Sequence, residues 1–215
     1  MAATSTGRII LCPLEIEAKS LRKAGLSDSI MVCGPGQDAV EEQLRQLATE
    51  KSPSGVILAG LAGGLNPTIL AGEAHWIDEI LDEEGHQIAQ KPSNGHGTGR
   101  SICTVPNALE TVSAKTSLYR ATEADLVDME SRRFVEVCQE LGLDWGILRG
   151  ISDEATHELP AGSLNLVDAN GRAKPLSVLG YLARNPLRIA GLIRLARRSS
   201  RAMKQVANEL NRVSR

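Results

Sequence analysis

Residues 121–155 read ATEADLVDMESRRFVEVCQELGLDWGILRGISDEA, and their pattern decides the fold class. Val127, Ser131, Phe134, Cys138 and Leu141 fall on a single buried stripe, which predicts a helix over 128–141. Gly142 stops it. The apolar run Trp145 to Ile151 then suits a buried strand. In open α/β sheets ligands bind at the carboxyl ends of the strands. Glu130, in the first helical turn, and Asp153, just past the strand, are therefore the first candidates. Taken singly, each has a plainer reading: Glu130 as a surface acid complementing the helix dipole, Asp153 as a helix N-cap.

Upstream, the same alternation of strand and helix repeats. Arg8 to Cys12 is a compact apolar run followed by Pro13, and Leu14, Ala18, Leu21 and Ala24 then recur at helical spacing. Glu17 sits in the first turn of that helix, where a solvated acid would complement the dipole. Ser29 to Cys33 reads as a strand closing on Gly34-Pro35-Gly36. Gly55 to Leu65 is a strand running into a glycine cluster, where Gly60, Gly63 and Gly64 would let backbone approach a bound molecule. The cluster is neither a P-loop nor the GxGxxG dinucleotide fingerprint. Glu73 to Ile77 begins another strand, and Asp82 to Gly85 marks a hairpin tip. Residues 92–100, PSNGHGTGR, read as a surface loop, and 100–105 as a strand. The stretch 108–119 begins as loop and becomes helix. A helical pattern at 176–183 is interrupted by Asn185-Pro186. A long amphipathic helix then runs over 187–211, with Leu187, Ala190, Ile193 (or Leu192), Ala196 and Met203 inward. Strands alternating with helices predict a mostly parallel α/β sandwich.

Composition narrows the function. The 215 residues, 42% hydrophobic, suffice for one domain with its own core. Two Trp, two Tyr and one Phe cannot make a stacking platform for single-stranded nucleic acid, so no nucleic-acid partner is expected. The four cysteines are scattered without a CxxC pair and read as reduced core thiols of a cytosolic protein. The four histidines show no metal-ligand spacing, and no metal site is expected. The opening residues MAATSTGR lack the apolar core of a signal peptide, and no run is long enough to span a bilayer. Residues 172–215 carry eleven Lys or Arg against one Glu, so the tail is strongly basic and the body acidic. A basic amphipathic helix of this kind can lie on an anionic membrane surface, or pack its apolar stripe on the sheet.

Four motifs, taken together and in order, resemble the purine nucleoside phosphorylase and methylthioadenosine nucleosidase superfamily. They are Leu14-Glu-Ile-Glu17, Gly60-Leu-Ala-Gly-Gly-Leu65, Val127-Asp-Met-Glu130 and Arg149-Gly-Ile-Ser-Asp153. Thr111-Val-Ser-Ala-Lys115 and the tail Leu179-Gly-Tyr-Leu-Ala-Arg-Asn-Pro-Leu-Arg188 are similar to its hopanoid-associated nucleoside phosphorylase branch. The resemblance implies a single-domain three-layer α/β sandwich with a mixed central sheet. Residues 1–173 would form the body, and the basic helices of 174–215 would belong to the same domain. The resemblance further implies cleavage of the N-glycosidic bond of a 5′-substituted adenosine, adenosylhopane in that branch. By the same resemblance Asp153 is the general acid at adenine N7, its pKa raised by burial or a neighbouring carboxylate. Glu17 activates water, Glu130 binds the ribose hydroxyls and Met129 packs on the sugar. Ala62 and Gly63 line the cleft, and Ser152 positions Asp153.

No cofactor is implied beyond phosphate as a co-substrate if the reaction is phosphorolytic. Phosphorolytic relatives place an arginine and a Ser or Thr where this chain has Leu58 and Leu61, which favours hydrolysis. The alternatives are a methylthioadenosine or adenosylhomocysteine nucleosidase and a catalytically silent nucleoside- or membrane-binding relative. A homodimer is expected, in the cytoplasm or at the inner face of the membrane.

Overall fold

The computed structural model describes residues 7–26, 29–51, 53–91, 99–160 and 189–213. In chain order the elements are β1 (Ile9–Cys12), α1 (Glu15–Lys23), β2 (Ile30–Val32), α2 (Gln37–Lys51), β3 (Gly55–Gly64), β4 (Ala74–Leu81) and β5 (Gln87–Gln90). They continue with β6 (Arg100–Thr104), α3 (Val112–Thr122), β7 (Leu126–Asp128), α4 (Ser131–Glu140), β8 (Asp144–Asp153) and α5 (Ile189–Val213). The helical pattern at 176–183, the tail motif at 179–188 and most of the 92–100 loop lie outside the described residues.

Period-two alternation along the central strands builds the layers. Leu11, Leu58 and Ile147 point into a core with Val40, Leu44 and Leu47 of α2 and Phe134, Val137 and Cys138 of α4. Their neighbours Ile10, Ile57 and Leu148 face the opposite side, against Ala18 and Leu21 of α1 and Met203, Val206, Ala207 and Leu210 of α5. The sheet is mixed: β1 pairs in parallel with β2 and β3, and β3 in parallel with β8. β8 turns antiparallel against β4. Since β3 also pairs with β7, β7 with β6 and β6 with β4, the sheet closes on itself through β8.

The expected helix over 128–141 is shorter than its stripe. Val127 belongs to β7, paired with Gly63 of β3 and Cys103 of β6, because its side chain is needed in a third cluster with Leu65 and Leu81. Gly142 does end the helix region, at φ +65°. The long basic helix forms; of its expected stripe Leu187 lies outside the described residues, and of the rest Met203 alone is buried. Ala202, Met203, Val206, Ala207 and Leu210 are buried, whereas Ala190 and Ala196 are exposed and Ile193 is 48% exposed. Only the second half of α5 has sheet beneath it, so the stripe shifts to where there is something to pack against. No helix among the described residues is long and apolar enough to cross a membrane.

Candidate functional site

The carboxyl ends of β1, β3, β7 and β8 converge, and four charged side chains meet there in the protein interior. At their centre is Arg149 of β8, with no exposure at all. Its Nη2 donates to Asp128 Oδ2, and to Glu130 Oε2 at 3.2 Å. Its Nη1 lies beside Gly60, where the Glu17 carboxylate also comes. A methyl built on Gly60 would stand 2.8 Å from Glu17 Oε1 and 2.9 Å from Arg149 Nη1. The space freed by this glycine is therefore filled by the protein's own Glu17 and Arg149 side chains, a correction to the expected approach of a ligand to bare backbone.

Glu17 reaches this point from the first turn of α1. Its Oε2 accepts the Leu14 N–H at 2.8 Å, half of a capping box, and its Oε1 accepts the Leu61 N–H at 2.7 Å. The plain reading of a solvated first-turn acid fails, since Glu17 is only 2% exposed. Burial pushes its pKa up to about 7, against the lowering influence of Arg149 and the two amides.

Glu130 is also buried, and it does not serve the helix end as the plainer reading had it. That work falls to Asp128, whose carboxylate accepts from the Ser131 N–H and hydroxyl, the Glu130 N–H and the Thr104 hydroxyl. Glu130 is thereby left to bond Arg149 and the loop before α2. Its Oε1 accepts the Gly36 N–H at 2.9 Å, so the Gly-Pro-Gly turn holds it from the other side. Burial raises the Glu130 pKa, with Asp128 adding to the rise and Arg149 opposing it. Met129, between these two acids in sequence, is partly buried.

Asp153 sits on a second cluster. It is the last residue of β8 rather than a position beyond the strand, and residues 154–160 form no helix for it to cap, so the N-cap reading fails. The β3–β8 register shifts between Ala62 and Gly63, leaving Ser152 as an extra residue that re-aims the strand end. Ser152 Oγ donates toward the Ala62 carbonyl and Asp153 Oδ1. A Cβ added at Gly63 would press on Val127 Cγ1 at 3.2 Å and touch Asp153 Oδ2 at 3.4 Å, an ordinary contact. Of the two alternatives expected at Asp153, burial or a neighbouring carboxylate, the structure supplies burial. Its partner is the buried ammonium of Lys115 from α3, donating to Oδ2. Asp153 is 4% exposed, and the charged group bonded to it is a cation.

The structure thus brings together Glu17 and Glu130, and separately Asp153, Ser152, Ala62 and Gly63. Sequence reasoning missed Arg149, Asp128 and Lys115 as members of these clusters. The signal for Arg149 was present: an arginine inside an apolar strand must be paired when buried. Leu58 is fully buried in the core, so no cation stands at that position of β3. The cysteines are all free, and Cys33 donates back to the Gly34 carbonyl at 3.2 Å beside the site. Burial, then the charges of Glu130 and Glu17, push its thiol pKa up.

Residues 98–175 match the family model of the Phosphorylase superfamily. No curated protein matches the chain. Its structure is similar to that of futalosine hydrolase from Helicobacter pylori, with a TM-score of 0.67 at 13% identity over 98% of this chain and 97% of that one. It is similar also to 5′-methylthioadenosine/S-adenosylhomocysteine nucleosidase from Helicobacter pylori, at 0.66 and 12% over 97% of both chains. S-adenosylhomocysteine nucleosidase from Streptococcus pyogenes gives 0.65 at 16%, covering 98% of this chain and 96% of that one. The α/β architecture with mixed sheet and flanking helices is the one these structures share.

Proposed function

We propose that this protein is a nucleosidase that hydrolyses the N-glycosidic bond of a 5′-substituted adenosine and releases adenine. The observation that carries the reading is the buried Glu17 beside Arg149. A carboxyl group whose pKa lies at about 7 can accept a proton from water at neutral pH. Arg149 Nη1 has no hydrogen-bond partner among the described residues and is free to orient that water. Glu130 would hold the ribose hydroxyls, and its charge would favour the cationic sugar of the transition state. Met129 would pack on the sugar and Gly63 and Ala62 would line the cleft. Asp153, held by Ser152, would protonate the base at N7.

Water is favoured over phosphate as nucleophile for an electrostatic reason. The backbone amides of Leu14 and Leu61 that could have received an anion are already occupied by Glu17. A phosphate dianion would meet that carboxylate, without the arginine and hydroxyl that Leu58 and Leu61 replace. By resemblance the substrate is adenosylhopane. The basic first half of α5 supports a lipid-bearing substrate: Arg194, Arg197 and Arg201 are exposed there with Ile193. We place this segment against an anionic membrane surface, in a cytoplasmic homodimer. Replacing Arg194 and Arg197 with Glu should then abolish flotation with anionic vesicles without changing the melting temperature.

The deciding experiment is adenine release from adenosylhopane and from methylthioadenosine, with and without phosphate, using Asp153→Asn as control. Phosphate-independent release lost in the variant is the expected result. Release that requires phosphate would overturn hydrolysis, and no release from either substrate would overturn the enzymatic reading.

A further inference from the structure

Lys115 lies in the first turn of α3 yet is 1% exposed. Its Nζ donates to Asp153 Oδ2, and to the carbonyls of Glu154 and His157 at 2.9 Å each. An ammonium has three N–H donors, so none is left over to reach a substrate. The same three partners also satisfy the neutral amine. Its two N–H groups keep the two carbonyls, and its lone pair accepts from a protonated Asp153. The proton between Nζ and Oδ2 can therefore reside on either atom with every hydrogen bond retained and the net charge of the pair unchanged.

No other described group is placed to feed Asp153. Ser152 Oγ is shared between Asp153 Oδ1 and the Ala62 carbonyl, and an alcohol is too weak an acid. The His157 ring is engaged elsewhere, with Nδ1 3.1 Å from Glu154 Oε2 and Nε2 3.3 Å from Arg198 Nη2. Arg149 is turned toward Glu17, Asp128 and Glu130.

Building on the nucleosidase reading above, we propose that Lys115 is the positioning residue that supplies Asp153 with the proton the leaving base carries away. As the C1′–N9 bond breaks, its electron pair moves onto the purine. A proton passes from Lys115 Nζ to the Asp153 carboxylate, and from Asp153 to N7. Water adds its oxygen to C1′ and gives a proton to Glu17. The cycle leaves Lys115 as an amine and Glu17 as a carboxylic acid, and proton exchange with solvent restores both.

The test uses a leaving group that needs no proton. A 5′-substituted adenosine methylated at N7 departs as a neutral base, whereas its unmethylated parent must be protonated. In Lys115→Met, adenine release should fall by roughly a hundredfold or more, the ordinary worth of a positioned acid. Cleavage of the N7-methylated substrate should stay near the wild-type rate. Lys115→Arg keeps the charge but cannot give up a proton, so it should show the same split, and it decides the matter if the Met variant does not fold. Equal loss on both substrates, or unimpaired adenine release in either folded variant, overturns the proposal. Wild type that cleaves neither substrate overturns the nucleosidase reading itself, before any variant is compared.

Discussion

The Leu61 N–H donates to Glu17 Oε1 at 2.7 Å, tying the glycine-rich end of β3 to the first turn of α1. This bond holds a carboxylate inside the protein at a place where burial disfavours its charge. The consequence is a pH dependence of opposite sign for stability and for the proposed catalysis.

For Glu17, the folded-state pKa is raised from 4.5 to about 7. The folded state therefore binds the proton more tightly, and the associated stability is present below pH 4.5 and lost as pH rises through 7. The loss integrates to about 3 kcal/mol. Thermal melts of wild type and Glu17→Gln at pH 5 and pH 8 check this: wild type should lose more stability over the interval than the variant. Adenine release should run the other way, rising with pH around 7 in wild type and falling roughly a hundredfold or more in Glu17→Gln.

Asp128 and Glu130 should separate stability from activity. Asp128→Ala removes one of the two acids paired with Arg149 and the acceptor at the start of α4 and for Thr104, and should cost about 3 kcal/mol or more in urea unfolding. Glu130→Gln retains an acceptor for the Gly36 N–H and should fold, with a fall in kcat.

Gly60→Ala would force a methyl to within 2.9 Å of both Glu17 and Arg149. Overpacking of this kind costs about 1–3 kcal/mol. Because the displaced atoms are the site itself, activity should be lost at temperatures where circular dichroism still reports a folded protein.

Leu210 is buried against the α1 side of the sheet with Met203 and Val206. Leu210→Ala should cost about 2–5 kcal/mol in denaturant unfolding. Deleting α5 should give aggregation rather than a folded protein that merely fails to bind vesicles.

Much of the fold was legible because β1, β3 and β8 are apolar runs bounded by turns and glycines. β7 was not, since Val127 fits the helical stripe of α4 as well as it fits a strand, and three residues are too few to show a period of their own. The first half of the α5 stripe fails for a tertiary reason: Ile193 and Met203 both fit the apolar stripe, and only the sheet beneath decides that Met203 is buried and Ile193 is not. In the site, Glu17, Glu130 and Asp153 were found through motifs, and the structure shows all three buried. Lys115 was quoted within a motif but given no role, because nothing local reveals that a helical lysine points inward at an acid from another element.

Gly150, on β8 between Arg149 and Asp153, faces Ala202 of α5, where an added Cβ would lie 3.0 Å from the Ala202 methyl. Every candidate residue of the site has been synthesised by residue 153, yet among the described residues it is 202–210 that cover the Leu148–Gly150 face of the same strand. During translation the site's residues therefore emerge long before their scaffold does. The nascent chain should stay inactive until α5 has cleared the ribosome, and a protease cut ahead of α5 should abolish the proposed activity without touching any candidate residue of the site.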